Sequence, residues 1–284
     1  MKNAELVELA AAIRMTCANP DLAGKAACLP IVSFDGSPKA ARLVGEPQTV
    51  RTAAAKAGLR PVVALPAKAS PADVVKKLSS SIRKTRSAPK VVAVGGAGLF
   101  AVGRTKAEAA EYGRRLVGWQ KSRSGSGKQV AGSRLTGHVV VVTGGAQGFG
   151  EGIARELAEA GAHIVIADLN APAGRKARAG IEKACGKAAA SFCEVDVTDP
   201  SSLASLVSHT FLTCGGIDIF VSNAGVLKAG ALHEMDPATF EFVTKVNYTA
   251  FFLCARAAAP AMKLQHLFNR HHYADIVQVN SYAV

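Results

Sequence analysis

Residues 143–150 read Thr-Gly-Gly-Ala-Gln-Gly-Phe-Gly, between the apolar run Val139–Val142 and an amphipathic stretch beginning at Ile153. A buried strand, a glycine-rich turn and then a helix present backbone amides and the positive end of a helix dipole outward. That arrangement suits a diphosphate. The candidate contacts in the turn are Thr143, Gly144, Gln147, Gly148, Phe149 and Gly150. Asp168 closes the next β-rich run 24 residues after Gly144. A carboxylate there accepts both hydroxyls of an adenosine ribose and repels a 2′-phosphate, which favours NAD over NADP. The alternative for Asp168 is a helix cap ahead of the segment after Asn170. Asp196 ends the third run, where its side chain reaches an adenine edge, whereas Asp199 before Pro200 reads as an N-cap. Asn223-Ala224-Gly225 ends the fourth run with small residues that let the backbone approach a ligand closely.

The elements that must hold these residues alternate regularly from residue 138 onward. His138–Thr143 is nearly all β-branched, as expected of a strand buried on both faces of a parallel sheet. A helix over about 150–160 sets Ile153, Ala154, Leu157 and Ala158 on one face. Strand 164–167, helix 172–184, strand 190–195, helix 200–212, strand 217–221, one long helix over about 237–262 and strand 276–279 follow. The class is α/β, a Rossmann-type doubly wound parallel sheet of about five strands preceded by a smaller α/β domain.

The chain has 284 residues, 49% of them apolar, and a net charge of +13. That composition is globular rather than disordered, and with the acids Glu5 and Glu8 near the start a secretory leader is not expected. No stretch holds 18 uninterrupted apolar residues, so a membrane partner is not expected. Six cysteines lie far apart, without a Cys-x-x-Cys pair or a histidine at ligand spacing. They read as reduced thiols of a cytoplasmic protein, with no metal site. Residues 1–136 hold 23 Lys and Arg against 8 Asp and Glu, while 137–284 hold 11 against 13. The basic excess therefore belongs wholly to the first half. The cluster Lys76, Lys77, Arg83, Lys84, Arg86 and Lys90 fits nucleic acid by charge, but aromatic side chains on which nucleobases could stack are few before residue 137, and a solvated face is preferred.

Three units are expected: a small basic α/β domain over 1–120, a flexible Gly/Ser-rich linker over 121–136, and the dinucleotide-binding domain over 137–284. In the first unit β-rich runs at 31–34, 61–65 and 91–94 alternate with helices near 50–57, 71–82 and 106–117. The segment Val91-Val-Ala-Val-Gly-Gly-Ala-Gly98 imitates a second phosphate turn. An apolar tract, Leu99–Val102, separates its glycines from the next helix, so a structural turn is the preferred reading.

Together, Thr143-Gly144-x-x-x-Gly148-x-Gly150, Asp168, Asp196-Val197, Asn223-Ala224-Gly225, Asn247 and Asn280-Ser281 resemble the short-chain dehydrogenase/reductase family. The resemblance implies hydride transfer between a nicotinamide cofactor and an alcohol or ketone, with a homo-oligomer expected for a full-length form. It also implies that Asn247 holds a water of a proton relay and that Ser281 hydrogen-bonds the substrate oxygen. The family's acid/base Tyr, with a Lys four residues later, is absent. Position +4 from Tyr112, Tyr248 and Tyr273 is Leu116, Phe252 and Val277, and Tyr282 lies two residues from the last one. Because that tyrosine falls about a dozen residues past the serine in the family, the chain as given is expected to be truncated, inactive and only marginally stable.

The first half, through Lys90–Lys106, more distantly resembles the aldolase-like part of bifunctional class II aldolase/short-chain dehydrogenases, which suggests a sugar or polyol substrate. Those aldolases hold zinc with histidines, and all seven histidines here lie at or after residue 138. The expected first unit is thus a degenerate aldolase-like domain. The competing reading is a non-catalytic dinucleotide-binding module with a basic, partner-binding first half.

Overall fold

The computed structural model describes residues 2–23, 29–45, 47–118, 133–228, 230–231 and 233–280. Two sheets organise it. The first contains β1 (Ile31–Asp35), β2 (Val62–Leu65), β3 (Val91–Val94) and β4 (Gly98–Gly103) in the order β1-β4-β3-β2. Strands β2 and β3 are parallel, and β4 runs antiparallel to both β3 and β1. The imitation turn is therefore a hairpin: Ala97 N–H donates to the Val94 carbonyl, and the chain reverses straight into β4. Leu99–Val102 is strand rather than helix lead-in, as its apolar run implies.

Helices α1 (Asn3–Ala18), α2 (Pro20–Ala23), α3 (Pro38–Val44), α4 (Pro47–Lys56), α5 (Pro71–Thr85) and α6 (Lys106–Gly118) accompany this sheet. Helix α5 shows how local chemistry sets a boundary. Ser70 Oγ accepts from the Asp73 amide, Asp73 accepts from the Ser70 amide, and Pro71 occupies the first turn. That capping box starts the helix, Val74, Leu78 and Ile82 face the core, and Lys76, Lys77, Arg83 and Lys84 lie in water.

The second sheet is wholly parallel, with β5 (Val139–Thr143), β6 (His163–Asp168), β7 (Ala190–Glu194), β8 (Ile219–Ser222) and β9 (Asp275–Gln278) in the order β7-β6-β5-β8-β9. Helices α7 (Gly148–Glu159) and α8 (Ala171–Cys185) cover one face; α9 (Pro200–Cys214) lies on the other. Strand β5 alternates between two cores: Val140 and Val142 join Ile164, Ile166 and Ile181, while Val139 and Val141 join Leu206, Phe211 and Phe220. Burial on both faces is why its sequence reads as unbroken valine.

Two findings depart from the sequence reading. The single helix expected over 237–262 is α10 (Pro237–Thr244), a π turn at Lys245–Thr249 and α11 (Ala250–Phe268). Apolar residues continue through the break, so periodicity hides it. No element was expected before residue 31, yet α1 is a central helix whose residues Leu9–Ala18 are all buried. Leu6, Leu9 and Ile13 enter the core of the first sheet, and Ala11 enters that of the second. Most of the expected linker, residues 121–132, lies outside the described residues.

Arg14 on α1 is completely buried. It donates to Asp218 Oδ1 at 3.0 Å and Oδ2 at 2.6 Å, to the Pro30 carbonyl at 2.7 Å and to the Gly137 carbonyl at 3.0 Å. Asp218 also accepts from the Val139 amide at 2.6 Å and from His272 Nε2 at 2.7 Å. Burial alone would raise the Asp218 pKa. The guanidinium and these donors outweigh it and hold the carboxyl well below the usual carboxylate range. One ion pair thus ties α1 to the amino-terminal ends of β5 and β8. A second cation of the first half, Lys106, reaches across to the Thr213 carbonyl at the end of α9 and to Ser33 Oγ at 3.1 Å.

Candidate functional site

The candidate residues converge at the carboxyl ends of β5, β6 and β8. Connections leave β5 toward β6 on one side and reach β8 on the other, so the sheet changes winding direction between β5 and β8. A crevice opens at such a point in doubly wound sheets.

Thr143 is buried and acts inward. Its Oγ1 accepts from the amides of Asn223 at 3.0 Å and Ala224 at 3.1 Å and donates to the Val221 carbonyl at 3.4 Å. Asn223 returns the link: its Nδ2 donates to the carbonyls of Thr143 at 3.1 Å and Gly144 at 3.3 Å. These bonds fix the first half of the turn against the end of β8. Side chains cannot be added there. A Cβ on Gly144, which has φ +62°, would meet Ala224 Cα at 2.8 Å, and one on Gly150 would overlap the Gly144 carbonyl oxygen and lie 2.5 Å from Asn223 Nδ2. Gly148, at φ +56°, differs: nothing lies near its missing Cβ. The turn is packed below and open above.

Gln147 is the N-cap of α7, without a side-chain cap bond, and exposed Phe149 follows in the first turn. The amides at this helix start are therefore available to an anion. Asp168, at the end of β6, accepts from the Ala146 amide at 3.0 Å and from the Asn170 amide at 2.9 Å. The cap of α8 is Asn170, whose side chain accepts from Ala173 N. Asp168 thus stands at the carboxyl end of β6, bonded to the turn, rather than serving as that helix's cap. Asp196 Oδ1 accepts from both the amide and the hydroxyl of Thr198 at 2.8 Å, and Val197 is buried beside it. Asp199 caps α9 through Ser201 and Ser202, as its position before Pro200 suggests.

Asn247 lies in the π turn. Its Oδ1 accepts from the Val226 amide and its Nδ2 donates to the Val226 carbonyl, each at 2.8 Å. Both ends of the amide are engaged in clasping the segment after Gly225. The side chain is a brace here; the sequence showed the residue but not this bond. A Cβ on Gly225 would come 3.3 Å from Asn247 Oδ1, so the amide would have to give by a few tenths of an ångström. Ser281 lies outside the described residues.

Fold and site define a Rossmann-type nucleotide-binding architecture. The model of the short chain dehydrogenase family matches residues 138–284, and the chain belongs to that family. Among curated relatives, it is 38% identical over 132 residues to (+)-cis,cis-nepetalactol synthase of Nepeta racemosa, covering 45% of this chain and 47% of that one. It is 36% identical over 131 residues to secoisolariciresinol dehydrogenase of Forsythia intermedia, covering 45% and 46%. The chain spans about half the length of these relatives. A third match, 29% identical over 207 residues to the uncharacterized oxidoreductase YuxG of Bacillus subtilis, covers 63% of this chain and 30% of that one. Because 63% exceeds the share occupied by residues 138–284, this match runs into the first half. A solved short-chain dehydrogenase/reductase from Mycobacterium marinum aligns at 33% identity with a TM-score of 0.48, covering 52% of this chain and 57% of the other.

Proposed function

We propose that residues 137–284 bind NAD in preference to NADP and form the cofactor half of an oxidoreductase that interconverts an alcohol and a ketone. The observation that carries this reading is the turn at 143–150: packed from below by Asn223 and Ala224, open above at Gly148, and flanked by Asp168. Such a cradle fits a diphosphate against the start of α7. The adenosine ribose lies against Asp168, with adenine near Asp196 and Val197. A bound nicotinamide supplies the hydride acceptor or donor.

The chain's own contribution is binding and orientation. Thr143 and Asn223 fix the turn, and Asn247 holds the Val226 segment at the crevice wall. By resemblance, Ser281 hydrogen-bonds the substrate oxygen. Acid/base work needs a phenol whose pKa is brought down from about 10 by a neighbouring cation, and none of the 284 residues forms the Tyr-x-x-x-Lys pair. These residues therefore supply cofactor binding and orientation, and turnover of an alcohol by them alone is not expected.

Calorimetric titration of the full chain tests the reading. NAD is expected to bind saturably, and Gly150→Ala is expected to abolish binding while the protein stays folded by circular dichroism. Undiminished binding to folded Gly150→Ala would remove the turn from the site.

A further inference from the structure

Strand β8 is held at both ends by side-chain amides of one helical run. Gln265 on α11 is completely buried. Its Oε1 accepts from the Ile217 amide at 2.6 Å and its Nε2 donates to the Ile217 carbonyl at 3.0 Å. Asn247, in the π turn, makes the same pair of bonds to Val226. Ile217 stands two residues before β8 and Val226 four after it. The lengths agree: Asn247 and Gln265 are 18 residues apart, about 27 Å of helix, and the nine residues from Ile217 to Val226 extend over about 30 Å.

The two clasps are unequal. Asn247 is exposed, so its bonds compete with water and hold only where the helix that carries them is already fixed. Gln265 supplies that fixed point. A Cβ on Gly216 would meet Gln265 Oε1 at 2.5 Å and Arg14 Nη1 at 2.6 Å, and His272 Nε2, bonded to Asp218, lies 3.2 Å from Gln265 Nε2. The Gln265 amide is thus packed into the buried network around the Arg14–Asp218 ion pair. Pro260 takes one bond from the helix ladder between the clasps, and burial of Cys254, Ala258, Ala261 and Met262 keeps the run in register across it.

In the cofactor reading, adenosine lies toward β6 and the diphosphate on the turn after β5, which leaves the carboxyl end of β8 to the nicotinamide half. The chain leaves that end through residues 223–226, and the clasped Val226 closes the segment. We infer that Gln265 is a positioning residue: through α11 and Asn247 it fixes residues 223–226, against which the nicotinamide half of the cofactor is held. The inference rests on the cofactor reading, and it assigns to a residue at the far end of β8 a part in holding the ligand.

The test compares NAD with ADP-ribose, which lacks the nicotinamide, by calorimetry on the full chain. Gln265→Met keeps the length of the side chain and deletes both bonds. It should weaken NAD at least fivefold and leave ADP-ribose within twofold, a difference that loss of stability alone does not produce. Asn247→Ala should give the same pattern, and the double variant should lose no more than either single one, because both act on one clasp. Should Gln265→Met not fold, Gln265→Asn, which keeps an amide one methylene too short, takes its place with the same expectations. A folded variant that weakens both ligands alike or neither, or losses that add in the double variant, would overturn the positioning role while leaving the cofactor reading intact. A wild-type chain that binds neither ligand would overturn the cofactor reading itself.

Discussion

The two ends of the second sheet are built on opposite principles. At the amino-terminal end, Asp218 is buried with Arg14, His272 and the Val139 amide around it, and every contact comes from the chain itself. At the carboxyl end, Gly144, Gly150, Asn223 and Thr143 close upon one another and Asp168 accepts from the Ala146 amide, yet the space beside Gly148 is open. One end uses charge to attach the first half of the molecule. The other satisfies its own polar groups and leaves the space over Gly148 open.

Cutting the buried attachment gives the largest expected effect. Arg14→Met leaves the Asp218 carboxylate unpaired in the interior and should lower stability by about 3–5 kcal/mol. Denaturant unfolding of the full chain measures it. The loss should be pH-dependent. Because the folded carboxyl sits below its unfolded value of about 3.9, the stabilisation is fully present above that pH and fades as acid protonates Asp218. The difference between wild type and Arg14→Met should therefore shrink below about pH 4; a difference that stayed constant into stronger acid would remove the ion pair as its cause.

At the open end, Thr143→Val deletes an acceptor shared by two amides and should cost about 1–3 kcal/mol, seen in the same unfolding experiment. It should also weaken NAD binding, because the turn loses its anchor, whereas a destabilisation as large as that of Arg14→Met would blur the contrast between the ends. The smallest effect belongs outside both. Ser70→Ala breaks the α5 capping box and should cost about 1 kcal/mol with NAD binding unchanged.

How much of this was legible depended on whether the signal was local. The glycine turn, the valine strand before it, Asp168 and the Asp199 cap are each written in a few consecutive residues. The two glycine-rich segments could be told apart in the same way, because Leu99–Val102 continues as a strand where Gly148–Ile153 begins a helix. Helix α1 was not legible, since a helix buried on all sides carries no polar stripe to mark its period. Arg14 reads as one more base of a basic half until its partner, 204 residues away, is known. The brace role of Asn247 depends likewise on a bond to Val226 across 21 residues of irregular chain.

The most direct measurement compares NAD and NADP binding to the wild-type chain and to Asp168→Ala by calorimetry. A wild-type preference for NAD of at least tenfold, equivalent to about 1.4 kcal/mol, is expected, and Asp168→Ala should largely erase it by weakening NAD and admitting NADP. Equal affinity for the two cofactors in the wild type, or a preference that survives Asp168→Ala, would contradict it.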